Sequence, residues 1–444
     1  MILKIAYCVL LIVVSSSPVF SQITKQGKFD FGSGKVQHGY IQVLPSTKYT
    51  SESGYGFDLN STVTSKNAAG NDALRDDYIT GEQPFYFSVK LPEGNYNVKV
   101  ILGDKQGTSA TTIKAECRRV MIEKIETAKG KFATAEFTVH VKDTLIRSTN
   151  NKVRLKSREI NYLHWDDKLT LEFNNRAPKV CAVEISIAEN IPTIFLAGNS
   201  TVVDQAEEPW AAWGQMIPAF FQPKKIAVAN YAESGETLKA FKAEKRLEKI
   251  WSLAKTGDYL FIEFAHNDQK PDGNFLDPFT SYKQTLKEWI AEARKRNIIP
   301  VLVTSMHRRT FDSSGHITNS LGDYPEAVRQ TGKEEGVAVI DLNAMSKILY
   351  EAWGPQKSIK AFVHFAANSF PNQPNELKDN THFSTYGAYQ LAKCVANGIK
   401  QKIPSLAKYL KKDLASFDPA HPDAYESWLL PASSFVGAIK PDGN

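Results

Sequence analysis

From about residue 22 to residue 187, apolar and polar residues alternate in short runs broken by Gly, Pro, Asn and Asp. "PFYFSVKLPEGNYNVKVILGD", "KFATAEFTVHVKD", "KLTLEFNN" and "KVCAVEISIAE" show it most clearly. A period of two puts every second side chain on one face, so these runs predict an antiparallel β-sandwich over residues 22–190. Near its start, "GYIQVLPSTKYTSESGYGFD" offers Tyr40, Tyr49 and Tyr55 either to a sugar or to packing.

From about Pro192 the rhythm changes. Apolar strands ("TIFLAG", "IAVANYA", "DYLFIEFAH", "IIPVLVTSM", "VAVIDLNA") are separated by amphipathic stretches such as "TLKAFKAEKRLEKIWSLAK", "TSYKQTLKEWIAEARKRN" and "PEAVRQTGKEEG". Strands alternating with helices predict an α/β domain over residues 191–412, with a parallel sheet covered on both faces. The remainder, residues 413–444, carries Trp428 and Leu429 and is expected to pack on the body.

A length of 444 residues fits two domains. The opening "MILKIAYCVLLIVVSSSPVFSQ" combines Lys4, an apolar run from Ile5 to Val14, and small residues at Val19 and Ser21, so residues 1–21 read as a cleaved secretory signal. That run is too short to span a bilayer, and Tyr7 before Cys8 is unlike a lipoprotein site. The mature chain is expected to be exported, to the periplasm or beyond the cell, with no membrane contact after cleavage. It keeps Cys117, Cys181 and Cys394: the first two form one possible disulfide, and Cys394 reads as a buried thiol on a helix. The net charge of +6 is spread along the chain and is compatible with an acidic substrate. There is no His-Glu-x-x-His, no phosphate-cradling glycine loop, and no basic patch interleaved with aromatics, which argues against a zinc protease, a nucleotide enzyme and a nucleic-acid binder. "ESGE" around Ser234 lacks the first glycine of a Gly-x-Ser-x-Gly elbow.

Open parallel sheets bind ligands beyond the carboxyl ends of their strands. The positions there are Asn199 and Ser200, Glu233 to Gly235, His266 to Asp268, Met306 to Arg309, and Asn343. A serine hydroxyl needs a base to remove its proton and a carboxylate to fix that base. "KDNTHFSTYGAYQLAK" supplies Asp379 and His382, three residues apart on an expected loop ahead of a helix beginning near Ser384 to Gly387. An oxyanion needs donors already aimed at it, and Asn267 in "HND" with the backbone at Gly235 could provide them.

Ser200 in "GNST", Gly235 in "ESGET", Asn267 in "HND" and Asp379 with His382 in "DNTH" resemble, in order, the four blocks of the SGNH (GDSL) hydrolases. "FLAGNSTVVDQ", "EPWAAWGQMIPAFF", "HRRTFDSSGHITNSLGDYPEAVRQ" and "NTHFSTYGAYQLA" are similar to the rhamnogalacturonan acetylesterase branch, over roughly residues 192–410. The first half resembles the galactose-binding-like sandwich that precedes the catalytic domain in some bacterial members. The resemblance implies a three-layer, flavodoxin-like sheet, with Ser200 as nucleophile, His382 as base and then acid, and Asp379 orienting His382. The N–H groups of Ser200 and Gly235 and the Asn267 amide would form the oxyanion hole. It implies an acetylated pectic polysaccharide or oligosaccharide as partner and no metal or organic cofactor.

Two positions depart from the family pattern. Asn199 stands where the family has Asp before the nucleophile, and Ala265 stands two positions before Asn267 where Gly is usual. Asn199-Ser200-Thr201 and Asn60-Ser61-Thr62 also read as glycosylation sequons, although a bacterial chain would leave them unmodified. For substrate contacts, His307, Arg308 and Arg309 follow the fourth strand; an arginine there either receives a galacturonate carboxylate or pairs with Asp323 or Glu326. Trp210 either lines a sugar subsite or packs, Trp213 reads as core, His266 as a satisfied loop histidine, and His364 and His421 as structural. Three functions fit: a pectic acetylesterase, an SGNH esterase on another acylated glycan or a lipid, and a non-catalytic carbohydrate-binding protein.

Overall fold

The alternating first half folds as two packed sheets in the computed structural model, which describes residues 26–68 and 70–434; the expected signal at residues 1–21 lies outside them. In the first sheet, Lys131–Val141, Gly94–Asp104, Lys179–Ile187, Gln26–Phe31 and Ile41–Val43 lie side by side; Asp77–Thr80 also pairs with Lys179–Ile187, and Thr64–Asn67 pairs with Asp77–Thr80. The second orders Tyr55–Asp58, Phe85–Lys90, Lys168–Asn174, Ser109–Ala115 and Arg119–Thr127. Between these strands the pairings are antiparallel except Gln26–Phe31 with Ile41–Val43, which run parallel. Inward-facing phenylalanines fill the space between the sheets: Phe29 and Phe31 from one, Phe57, Phe85 and Phe87 from the other. Phe31 meets Phe87 edge-on at 4.9 Å between centroids, and burying each such ring stabilises the fold by about 1.5–3 kcal/mol.

The sandwich engages its own tyrosines. Tyr40 donates to Glu184 Oε1 at 2.8 Å, the Tyr55 ring lies 5.3 Å from Phe29, and Lys168 sits over the Tyr49 ring. Cys117 and Cys181 do not pair; all three described cysteines are free and buried. The reason is placement. Cys117 lies under the second domain, where Gln215 Nε2 donates to its carbonyl, whereas Cys181 packs with Tyr78 and Ile101.

The second half forms a five-stranded parallel sheet in the spatial order Ala227–Asn230, Thr193–Gly198, Tyr259–Glu263, Ile299–Val303, Ala338–Ile340. Numbered along the chain, this order is 2-1-3-4-5, the flavodoxin-like arrangement. Alternate residues of each strand enter opposite layers. Ile194, Leu196, Phe261 and Val303 pack with the helix Thr385–Lys402 and with Leu349 and Tyr350. Phe195, Ala197, Leu260 and Ile262 pack with Phe241, Trp289, Ile290 and Tyr324. Three layers result. No helix among the described residues is long and apolar enough to cross a membrane.

The two domains share a polar, buried contact. Arg119 Nη2 of the sandwich lies 2.7 Å from Asp204 Oδ2, both fully buried, and Arg118 pairs with Glu208. Lys142 Nζ donates to Asn230 O at 2.7 Å. The C-terminal stretch crosses both bodies: the Trp428 ring lies 4.2 Å from Tyr389 on the long helix, and Ser433 Oγ donates to Glu172 of the sandwich at 2.6 Å.

Candidate active site

The strand Thr193–Gly198 ends in a turn closed by the N–H groups of Val202 and Val203, both donating to Asn199 O. Asn199 Oδ1 accepts from Thr201 N at 3.0 Å, an Asx-type bond that holds the turn. An aspartate could accept the same bond, so the amide at position 199 preserves the turn's geometry. The Thr201 hydroxyl also lies 2.9 Å from Glu263 Oε1, and Trp213 Nε1 donates to Glu263 Oε2 at 2.7 Å. Burial pushes the Glu263 carboxyl up to about 7 against these hydrogen bonds.

Asp379 and His382 lie on a short strand, Leu377–Phe383, rather than on the expected loop. It pairs antiparallel with Phe362–Phe365, and the register shifts between Phe362 and Val363. This bulge places the carboxylate back against the imidazole three residues later. The following helix, Thr385–Lys402, is capped by Ser384, whose Oγ accepts from Gly387 N. Position 387 must be glycine because a Cβ there would lie 1.9 Å from Ala361 O. This close approach ties the helix to the hairpin bearing His382.

Ser200 Oγ donates to His382 Nε2 at 2.8 Å, and His382 Nδ1–H donates to Asp379 Oδ2 at 2.8 Å. Asp379 Oδ1 accepts from the backbone N–H of Thr381 and of His382 at 2.9 and 3.0 Å. Burial alone would raise the Asp379 pKa, but His382 and these N–H groups outweigh it and hold the carboxyl well below the usual carboxylate range. All three side chains are buried. In this arrangement a hydroxyl can lose its proton to an imidazole whose positive form the carboxylate stabilises.

The loop after Ala227–Asn230 is tied to the serine turn by Glu233 N donating to Gly198 O. Gly235 has φ +80, a left-handed conformation that disfavours any side chain. Among the described residues, neither its N–H nor that of Ser200 donates to another protein group. Asn267 Nδ2 donates to Glu236 O at 3.1 Å, leaving the amide's second hydrogen available. Three donors therefore come from the ends of three neighbouring strands.

The expected substrate contacts divide. Trp210 does not line a sugar subsite: its side chain is 1 % exposed and its Nε1 donates to Asp379 Oδ2 at 3.4 Å, where it supports the carboxylate. Arg308 reaches Thr381 Oγ1, His266 O and Ser320 O at 3.2–3.3 Å, and makes no ion pair among the described residues. Arg309 turns away to Ser358, Pro355 O and Asn380. Neither pairs with Asp323 or Glu326; it is Arg329 that bridges Glu326 and Asp341. The His307 ring lines a separate groove of about 350 Å³ with Arg329, Asn343 and Lys347, and burial reinforced by the two cations lowers its pKa to about 4. His266 is buried, but neither ring nitrogen has a hydrogen-bond partner among the described residues, contrary to the satisfied role expected of it. Missed from sequence were Lys156 and Arg158, which reach the Gly235 loop from the sandwich. Their sequence context, an irregular stretch about 80 residues earlier, carries no signal of that contact.

The doubly covered parallel sheet carries a Ser-His-Asp line and amide donors at its carboxyl edge, an arrangement with the chemical means for ester hydrolysis. Residues 196–388 match the model of the GDSL-like lipase/acylhydrolase family, and residues 27–150 match the β-agarase/YXIM esterase-like, galactose-binding domain-like family. The chain is 45% identical to the rhamnogalacturonan acetylesterase RhgT of Bacillus subtilis over 47% of this chain and 89% of that protein. It is 26% identical to the uncharacterized esterase YxiM of the same organism over 84% of this chain and 91% of that one. The crystal structure of the B. subtilis YxiM protein aligns with 85% of this chain and 98% of its own, with 25% identity and a TM-score of 0.45. The chain belongs to the GDSL-like lipase/acylhydrolase family, with the SGNH-type fold, and is an esterase.

Proposed function

We propose that this chain is an exported carbohydrate O-acetylesterase that removes acetyl groups from pectic rhamnogalacturonan through an acyl-enzyme on Ser200. The observation that carries the reading is the continuous hydrogen-bonded line from Ser200 through His382 to Asp379. Ser200 Oγ attacks the acetyl carbonyl carbon as its proton passes to His382 Nε2. The developing oxyanion accepts from the N–H groups of Ser200 and Gly235 and from Asn267 Nδ2. Collapse breaks the bond to the sugar oxygen, which takes the proton from His382. Water then attacks the acetyl-serine by the same route, and acetate leaves. His382 handles every proton, so the cycle requires neither metal nor organic cofactor.

Arg308 supports a uronate-bearing substrate. Its guanidinium hydrogen-bonds neutral oxygens of residues next to Asn267 and His382 and feels the Asp379 carboxylate only through space, so it can still receive a substrate carboxylate directly. Similarity to RhgT supports the same glycan. Residues 1–21 would direct export, residues 22–190 form the accessory sandwich, and residues 191–412 the catalytic domain.

Acetate release from acetylated rhamnogalacturonan, acetylated xylan and a small aryl acetate, by wild type and Ser200→Ala, tests this reading. Pectin-selective release lost in the variant is the expected result. Release from xylan or the aryl acetate alone would overturn the substrate, and equal activity in both proteins would overturn the nucleophile.

A further inference from the structure

We infer that Lys156 and Arg158, both in the sandwich half of the chain, are positioning residues that aim the Gly235 N–H at the oxyanion by holding the same peptide group through the Ser234 carbonyl. The inference rests on the reading of Gly235 as an oxyanion donor. Lys156 Nζ donates to Ser234 O at 2.5 Å and Arg158 Nη2 donates to it at 2.8 Å. Ser234 is buried, and the peptide that joins it to Gly235 is planar, with its oxygen and its N–H on opposite sides. Two donors on the oxygen therefore fix where the N–H points. Both donors are cationic, so they also polarise the amide and make its N–H a stronger donor.

The clamp extends to both sides of that peptide. Arg158 Nη2 lies 2.8 Å from Glu233 Oε1, and Lys156 Nζ lies 2.6 Å from Glu236 Oε1. The segment carrying the cations is itself fixed. Glu159 accepts from Lys156 N and Trp165 Nε1 at 2.9 Å and from Arg246 Nη2 of the catalytic domain at 2.5 Å. Glu159, His164 and Glu233 bring potential metal-ligand atoms within 4.8 Å of one another. The Glu159 carboxylate, however, is already held by those three donors and anchors the clamp. Gly235 alone would leave the loop free to rotate this peptide, because glycine tolerates many backbone conformations.

The test uses the full-length protein with an aryl acetate, counting active sites by stoichiometric organophosphate labelling of Ser200 so that kcat is expressed per folded site. Lys156→Met and Arg158→Met are each expected to lower kcat about tenfold, and the double variant about a hundredfold, approaching the loss of an oxyanion donor. KM should change less than twofold, and Lys156→Arg should recover most of the rate. A merely structural role would lower the unfolding temperature or the number of labelled sites but leave kcat per site intact. That result, with Ser200→Ala inactive, would overturn the clamp and spare the proposed function. Activity surviving in Ser200→Ala would overturn the reading beneath it.

Discussion

Ser200 Oγ and His382 Nε2 lie 2.8 Å apart although 182 residues separate them in the chain. The strand Thr193–Gly198 and the bulged hairpin of Leu377–Phe383 converge to make this contact. Ser200→Ala and His382→Ala are expected to lower kcat on an aryl acetate by at least about a thousandfold. Asp379→Asn should lower it by about ten-thousandfold through loss of the required imidazole tautomer. Steady-state rates, with far-UV circular dichroism to verify folding, check all three.

Asn267 supplies a side-chain donor, and its other hydrogen is tethered to Glu236 O. Asn267→Ala should reduce kcat by about a hundredfold to a thousandfold. KM should change little, because the lost bond forms mainly with the transition state. A rise in KM at constant kcat would instead place Asn267 in substrate binding.

Glu263 gives stability a pH dependence. Burial raises its pKa from the ordinary 4.5 to about 7, so the native fold favours the protonated acid. That contribution is fully present below about 4.5 and is lost as pH rises through about 7. Asp268, raised by burial to about 7, adds to the same decline. Glu263→Gln should therefore flatten, without abolishing, the fall in unfolding temperature between roughly pH 5 and 8. An unchanged slope in thermal scans would exclude Glu263 as a source.

Arg119 and Asp204 form a fully buried ion pair across the domain boundary. Asp204→Ala removes the carboxylate that the buried guanidinium contacts directly and should cost about 3–5 kcal/mol. Denaturant titration of the whole chain would measure the loss. A change under about 1 kcal/mol would imply that water reaches the site and solvates the charge.

The sequence by itself determined the layered organisation. Alternation in the first half and strand–helix rhythm in the second dictated which residues face each core, because side-chain direction follows the local backbone period. Ser200, Gly235 and Asn267 stood out as positions following strands and Asp379 and His382 by their spacing of three ahead of a helix, and their order along the chain resembles four motif blocks. Arg309, Trp210 and the cysteines were not legible: nothing local distinguishes an arginine facing a crevice from one capping carbonyls, or a tryptophan lining a subsite from one bonded to Asp379. Only the tertiary structure decided these, because they depend on which distant segments meet. The same holds for Lys156, Arg158 and Ser234, whose contact comes from docking a segment of the sandwich against a loop of the other domain. Periodicity records the face a residue buries, whereas long-range packing decides which partner it meets there.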